Sequence, residues 1–108
     1  MKFVYLIRSS NGSHKIGVSK NPKNRTKQLQ TANDHELTLI SMSECKYPNK
    51  VEKTLHNLYC NDHKLGEWFN LSINEELNFN KLCQKLDNNF KIIEKYSTLS
   101  KKNLATYL

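Results

Sequence analysis

Tyr5, Lys15, Ile16, Gly17, Arg25, Glu52 and His56 form an ordered series in the first half of the chain, and their types suit one reaction, the hydrolysis of a phosphodiester. That reaction needs a group to orient or deprotonate water, cations to stabilise charge building on the phosphate, and usually a metal ion on a nonbridging oxygen or the leaving group. Tyr5 could serve the water, and Lys15 and Arg25 could bind phosphate oxygens. Glu52 could hold Mg²⁺, or Mn²⁺ in its place, since Mg²⁺ takes only one or two protein carboxylates and keeps several waters. His56, one helical turn beyond Glu52, could carry a second proton or contact a phosphate.

Taken singly, the same residues have plainer readings. Tyr5 alternates in phase with Phe3 and Ile7, as a core aromatic would, and Lys15 is one of fifteen lysines. Glu52 stands three residues after Asn49 and could complete a capping box. Arg25 could pair with an acidic neighbour, and His56 could be a satisfied helix histidine. Order and spacing together carry the functional reading.

The elements that must position these groups follow from pattern. Phe3 to Arg8 reads as a strand, Ser9 to Ser13 as turn chemistry, and His14 to Ser19 as the hairpin partner. Asn21-Pro22 pairs an N-cap with a proline suited to the first helical position, so a helix runs from about Pro22 to Ala32 with Arg25 and Leu29 sharing its inner face. Leu37 to Met42 reads as a third strand. A second helix starts near Asn49 with Val51, Leu55 and Leu58 as its apolar stripe, leaving Glu52, His56 and Tyr59 on the adjoining flank. Ser72 and Glu75 offer a capping box for a long third helix, whose stripe is Leu82, Leu86, Phe90 and Ile93. The expected architecture is α/β of the α+β type: a small three-stranded antiparallel sheet flanked by helices, with a long C-terminal helix. Residues 1–96 form one domain and residues 97–108 a loosely held tail.

Strand parity sets a geometric condition on the site. A two-residue turn at Asn11-Gly12 would set Tyr5 opposite Val18 and place Tyr5 and Lys15 on opposite faces of the sheet. A three-residue loop, Ser10 to Gly12 with Gly12 left-handed, sets Tyr5 opposite Gly17 and returns Tyr5 and Lys15 to one face. The expectation is an odd-length connection or a bulge, with Tyr5, Lys15, Arg25 and Glu52 converging on one cleft whose floor Gly17 keeps open.

Charge supports a polyanionic partner. Residues 1–32 hold seven basic side chains (Lys2, Arg8, Lys15, Lys20, Lys23, Arg25, Lys27) and no Asp or Glu, while the rest of the chain holds ten basic and ten acidic residues. The entire formal charge of +7 therefore sits beside the candidate site. Arg8, Lys20, Lys23 and Lys27 are the candidate backbone contacts, and Trp68 either stacks on a base or covers the sheet edge while Phe69 and Leu71 face the core. The three cysteines are widely spaced and odd in number, which argues against a disulfide framework. With no apolar run of membrane-spanning length and no signal-peptide pattern near Met1, the expected setting is soluble and intracellular, the cytoplasm or nucleus of a host cell.

Val4-Tyr5-Leu6, Lys15-Ile16-Gly17, Arg25 and Glu52 together resemble the motifs of the GIY-YIG nuclease superfamily. Val51-Glu52-Lys53-Thr54-Leu55-His56 followed by Gly66-Glu67-Trp68-Phe69 is similar to the branch found in phages and large DNA viruses and in some bacterial and fungal proteins. The resemblance covers about residues 2–72. It implies a one-metal hydrolytic cut of DNA, with branched or structured DNA among the candidate substrates, Tyr5 as candidate base, Lys15, Arg25 and His56 as further catalytic residues, and Glu52 as the ligand of Mg²⁺ or Mn²⁺. Lys15 departs from the pattern, because many members carry the second motif's tyrosine there. Two rivals remain open: a non-catalytic nucleic-acid-binding or adaptor module, and a small zinc protein using His56, Cys60, His63 and Cys45.

Overall fold

The computed structural model of the chain describes residues 1–60 and 68–107, with side chains through residue 98. Its central element is β1 (Lys2–Ser9), in which Val4, Tyr5, Leu6 and Ile7 are all buried, as expected of a strand covered on both faces. β2 (His14–Ser19) and β3 (Leu37–Cys45) flank it, both antiparallel, and β4 (Trp68–Phe69) pairs beyond β2, giving the order β3-β1-β2-β4. The sheet thus has four strands where three were expected. β4 is two residues long, too short to be counted as a strand from sequence.

The β1–β2 connection is the three-residue loop Ser10, Asn11 and Gly12. The Ser9 N–H donates to the Ser13 carbonyl at 2.8 Å, and the Gly12 N–H donates to the Ser9 carbonyl at 2.9 Å. Gly12 sits at φ 90°, a left-handed conformation that glycine adopts without a Cβ penalty. The resulting register sets Tyr5 opposite Gly17 and Ile7 opposite Lys15. Tyr5, Ile7, Lys15 and Gly17 therefore share one face, as the parity argument required, while Val4, Leu6, Arg8, His14 and Ile16 point to the other.

Each face has its own cover. α1 (Pro22–Gln30) starts as its sequence dictates, with Asn21 Oδ1 accepting from the Asn24 N–H at 3.1 Å and Pro22 in its first turn. It lays Leu29 against Tyr5, Ile7 and Leu37, with Leu39 and Trp68 completing that cluster. The opposite face carries the larger core, where Val51 and Leu55 of α2 (Pro48–Leu58), Tyr59, Phe69, and Phe79 and Cys83 of α4 (Phe79–Tyr107) pack over Val4, Leu6, Ile16 and Cys45.

β3 serves both cores because it is irregular. Leu6 pairs with Ser41 but Ile7 pairs with Leu39, so Ile40 is an extra residue in β3. Leu37 and Leu39 join the Tyr5 cluster, whereas Ile40 packs on the larger core.

The expected long third helix is divided. The Ser72 and Glu75 capping box forms, but α3 (Ile73–Leu77) stops there; Asn78 is its C-cap and α4 restarts at Phe79, whose buried ring turns into the core. Leu82, Leu86 and Phe90 pack on the core as expected. Ile93 does not: it is 58 % exposed, because the helix has by then run past the elements beneath it. Helix also continues to Tyr107, through most of the stretch expected as a loose tail. Among the described residues no helix is long and apolar enough to cross a membrane.

Candidate active site

Tyr5 and Gly17 are the closest-fitting pair of the candidate set. A Cβ built on Gly17 would collide with the Tyr5 ring and hydroxyl, so only glycine lets the phenol lie down on β2. Gly17 does not hold open an empty floor, as expected from sequence; it makes room for Tyr5, which is 2 % exposed.

Lys15 lies on the same face, two residues before Gly17, and is buried to 9 % exposure. β4 pairs Lys15 with Trp68, and the Lys15 Nζ stands over the Trp68 ring, 5.8 Å from its centroid. Trp68 is half-buried on the edge of the Tyr5 cluster, while its neighbour Phe69 faces the larger core. Tyr5, Lys15 and Trp68 are therefore gathered on one face.

α2 approaches from the other side of the sheet and meets the edge of β2. The His56 Nε2 donates to the Ile16 carbonyl at 3.1 Å, and the His56 ring packs edge-on against Phe69 at 5.0 Å between centroids. His56 thus clamps α2 to β2 at Ile16, the residue before Gly17. Glu52 stands one turn before it on the same flank of α2, half-buried.

Arg25 is exposed on α1, beside the row formed by Pro22, Thr26 and Leu29. Lys23 and Lys27 are exposed on α1, the helix that covers the Tyr5 side of the sheet, and Lys20 is exposed on the β2–α1 turn. Arg8 does not belong with them. It points to the opposite face, where its Nη1 pairs with Glu76 Oε1 at 2.7 Å. Parity explains this departure, since Arg8 is an odd number of residues from Tyr5.

Glu76 also joins a residue that sequence reading treated only as a strand start. His14 is buried, its Nε2 donates to Glu76 Oε2 at 2.7 Å, and its Nδ1 accepts from the Leu71 N–H at 3.4 Å. It fastens α3 to the sheet. The signal was present in the parity it shares with Ile16, which marks it as core-facing. Asp87 is the second residue missed. Buried to 1 % exposure, its carboxylate accepts from the Lys46 and Tyr47 N–H groups at 3.1 and 2.8 Å and so secures the turn that launches α2.

Among the described residues, the members of the zinc arrangement are not gathered. Cys45 is locked in the core beside Cys83, Cys60 is exposed, and His63 lies outside the described residues, as do Gly66 and Glu67 of the quoted motif. Among the described residues no three His, Cys, Asp or Glu side chains gather as a metal cluster. A groove of about 570 Å³ lies elsewhere, between Leu58, Tyr59, Asn74, Glu75 and Leu82, and contains none of the candidate groups.

No curated protein and no solved structure matches this chain. A family model does: that of the T5orf172 domain, over residues 2–91. That domain is phage-associated and occurs in some nuclease-like proteins related to the GIY-YIG and HNH kinds, although no GIY-YIG family model itself matches. The matched span takes in every described strand, α1 to α3, and α4 as far as its last core residue, so the chain belongs to the T5orf172 domain family.

Proposed function

We propose that this protein is a metal-dependent endonuclease that hydrolyses DNA phosphodiester bonds at one site. The observation that carries the reading is the shared face of Tyr5 and Lys15, set by the three-residue hairpin loop, at the β2 edge where His56 clamps α2. Tyr5 orients or deprotonates the attacking water. Lys15 and Arg25 bind nonbridging oxygens as negative charge builds on them. Glu52 is the residue that would hold the cation, with His56 keeping α2 against Ile16. A single half-buried carboxylate, with no three-ligand cluster among the described residues, fits Mg²⁺ or Mn²⁺ retaining its waters and does not fit a closed zinc cage. Bound there, the cation supplies Lewis-acid stabilisation of the phosphate.

The burial of Tyr5 favours a second reading, a nucleic-acid-binding module that retains the fold without cutting. Incubation with supercoiled plasmid and with branched DNA, in Mg²⁺, Mn²⁺ or EDTA, separates the two. Metal-dependent nicking that is lost in Glu52→Ala while DNA binding persists supports the enzyme. A salt-sensitive gel shift without nicking supports the module. Unchanged cleavage by Glu52→Ala under matched Mg²⁺ would remove Glu52 as the essential ligand.

A further inference from the structure

β4 has only two residues, yet one of its pairings sets Trp68 directly beside Lys15. A lysine ammonium is a strongly hydrated point charge on a flexible four-carbon stem, and it ordinarily swings outward to water. Lys15 does not: it is nearly covered, on the same face as Tyr5, with its Nζ over the indole ring. An aromatic face attracts a cation and restricts where it can sit, most strongly for tryptophan and most strongly where water is excluded.

We propose that Trp68 is a positioning residue for Lys15: its ring holds the ammonium on the Tyr5 side of the sheet, where a phosphate oxygen would meet it, and it does not act by stacking on a base. The role of Lys15 toward phosphate rests on the nuclease reading above, whereas the pairing of ring and ammonium does not. The arrangement also accounts for the alternation in Trp68-Phe69. Phe69 anchors β4 in the larger core and supports His56, leaving Trp68 on the face where Lys15 lies.

A double-mutant cycle in the full chain tests this, using Trp68→Leu, Trp68→Phe and Lys15→Met. The side-chain methylene protons of Lys15, followed by NMR in lysine-labelled protein, are expected to show an upfield ring-current shift that Trp68→Leu abolishes. Trp68→Leu is expected to slow single-turnover cleavage about tenfold with little change in DNA affinity, and Trp68→Phe, which keeps a ring, by less than about threefold. In the Lys15→Met background Trp68→Leu is expected to add nothing, because the group it positions is gone. An equal loss from Trp68→Leu in both backgrounds, the behaviour of a base-stacking tryptophan, would overturn the proposal, as would a Lys15 spectrum indifferent to Trp68. If the wild-type chain does not cut DNA, the nuclease reading fails by itself. The ring-current shift, which needs no cleavage, then decides the pairing: its presence in wild type and loss in Trp68→Leu upholds it, and a Lys15 spectrum indifferent to Trp68 overturns it.

Discussion

Gly17 carries a demand that no other residue type meets. Its Cα faces the Tyr5 phenol so closely that an added methyl group would have to displace the ring or the strand. Gly17→Ala is therefore expected to destabilise the fold by about 1–3 kcal/mol, the usual cost of overpacking, which lowers Tm by roughly 4 °C or more in a chain this size. A thermal scan within about 1 °C of wild type would show that the phenol moves aside freely. The two buried thiols make a separate statement about pH. Burial pushes Cys45 up to about 11, with the Asp87 carboxylate adding to it, and pushes Cys83 up to about 12, with further contributions from Cys45 and Asp87. Below the ordinary thiol value of 9.0 both folded and unfolded chains hold these protons, and the pair adds no pH dependence. Above it the unfolded chain releases protons that the folded core retains, so stability falls as pH rises from 9.0 toward 11 and 12. Urea midpoints at pH 7, 9 and 10 are expected to decline, and less steeply in a Cys45→Ala/Cys83→Ala chain. An identical slope in that variant would assign the decline to the lysines instead.

Among the elements, α2 has the most exacting placement, because it brings Glu52 and His56 to the edge of β2. Its own N-cap, Tyr47, makes no side-chain cap bond, and the preceding N–H groups are instead received by Asp87 from α4. Asp87→Ala takes the acceptor from two part-buried donors and is expected to cost about 1–3 kcal/mol, measured as a lower urea midpoint with an unchanged m-value. A loss below about 0.5 kcal/mol would mean that water replaces the carboxylate at no cost. The three longer strands, α1 and α2 were legible in the sequence because each is announced locally, by Asn21-Pro22, by the run Val4 to Ile7, or by Val51 and Leu55 on one stripe. Even the shared face of Tyr5 and Lys15 was legible, since loop length and a period of two fix it. Asp87 was not: its partners are 40 and 41 residues away, and no periodicity encodes a contact at that range. The break at Asn78 and the brevity of β4 escaped for a related reason, since both depend on where Phe79 and Phe69 must point to reach a core that local pattern does not display.

At the scale of the whole molecule, the charge asymmetry of the sequence becomes a directed one. Lys23 and Lys27 stand exposed on the helix that covers the Tyr5 side of the sheet, with Lys20 on the turn that leads into it, whereas Arg8 pairs with Glu76 at the other face. Replacing those three lysines by Gln is expected to weaken DNA binding uniformly across sequences. It should also reduce the slope of log affinity against log salt by about 2 to 3, near 0.9 for each lost phosphate contact. Gel shifts over a KCl series measure it, and a change in slope below about 1 would place the DNA on another surface. The same view of the molecule gives the extra residue Ile40 a further meaning. β3 is the outermost strand on its side, and Thr38 to Ser43 is a β-prone stretch without a charge, the kind of border at which chains join into aggregates. Because Ile40 puts that border out of step midway along its length, a second molecule arriving there finds its hydrogen-bonding groups matched over one half of the strand and mismatched over the other. The irregularity that lets one strand feed two cores is thereby also the kind of device by which an edge strand resists adding another.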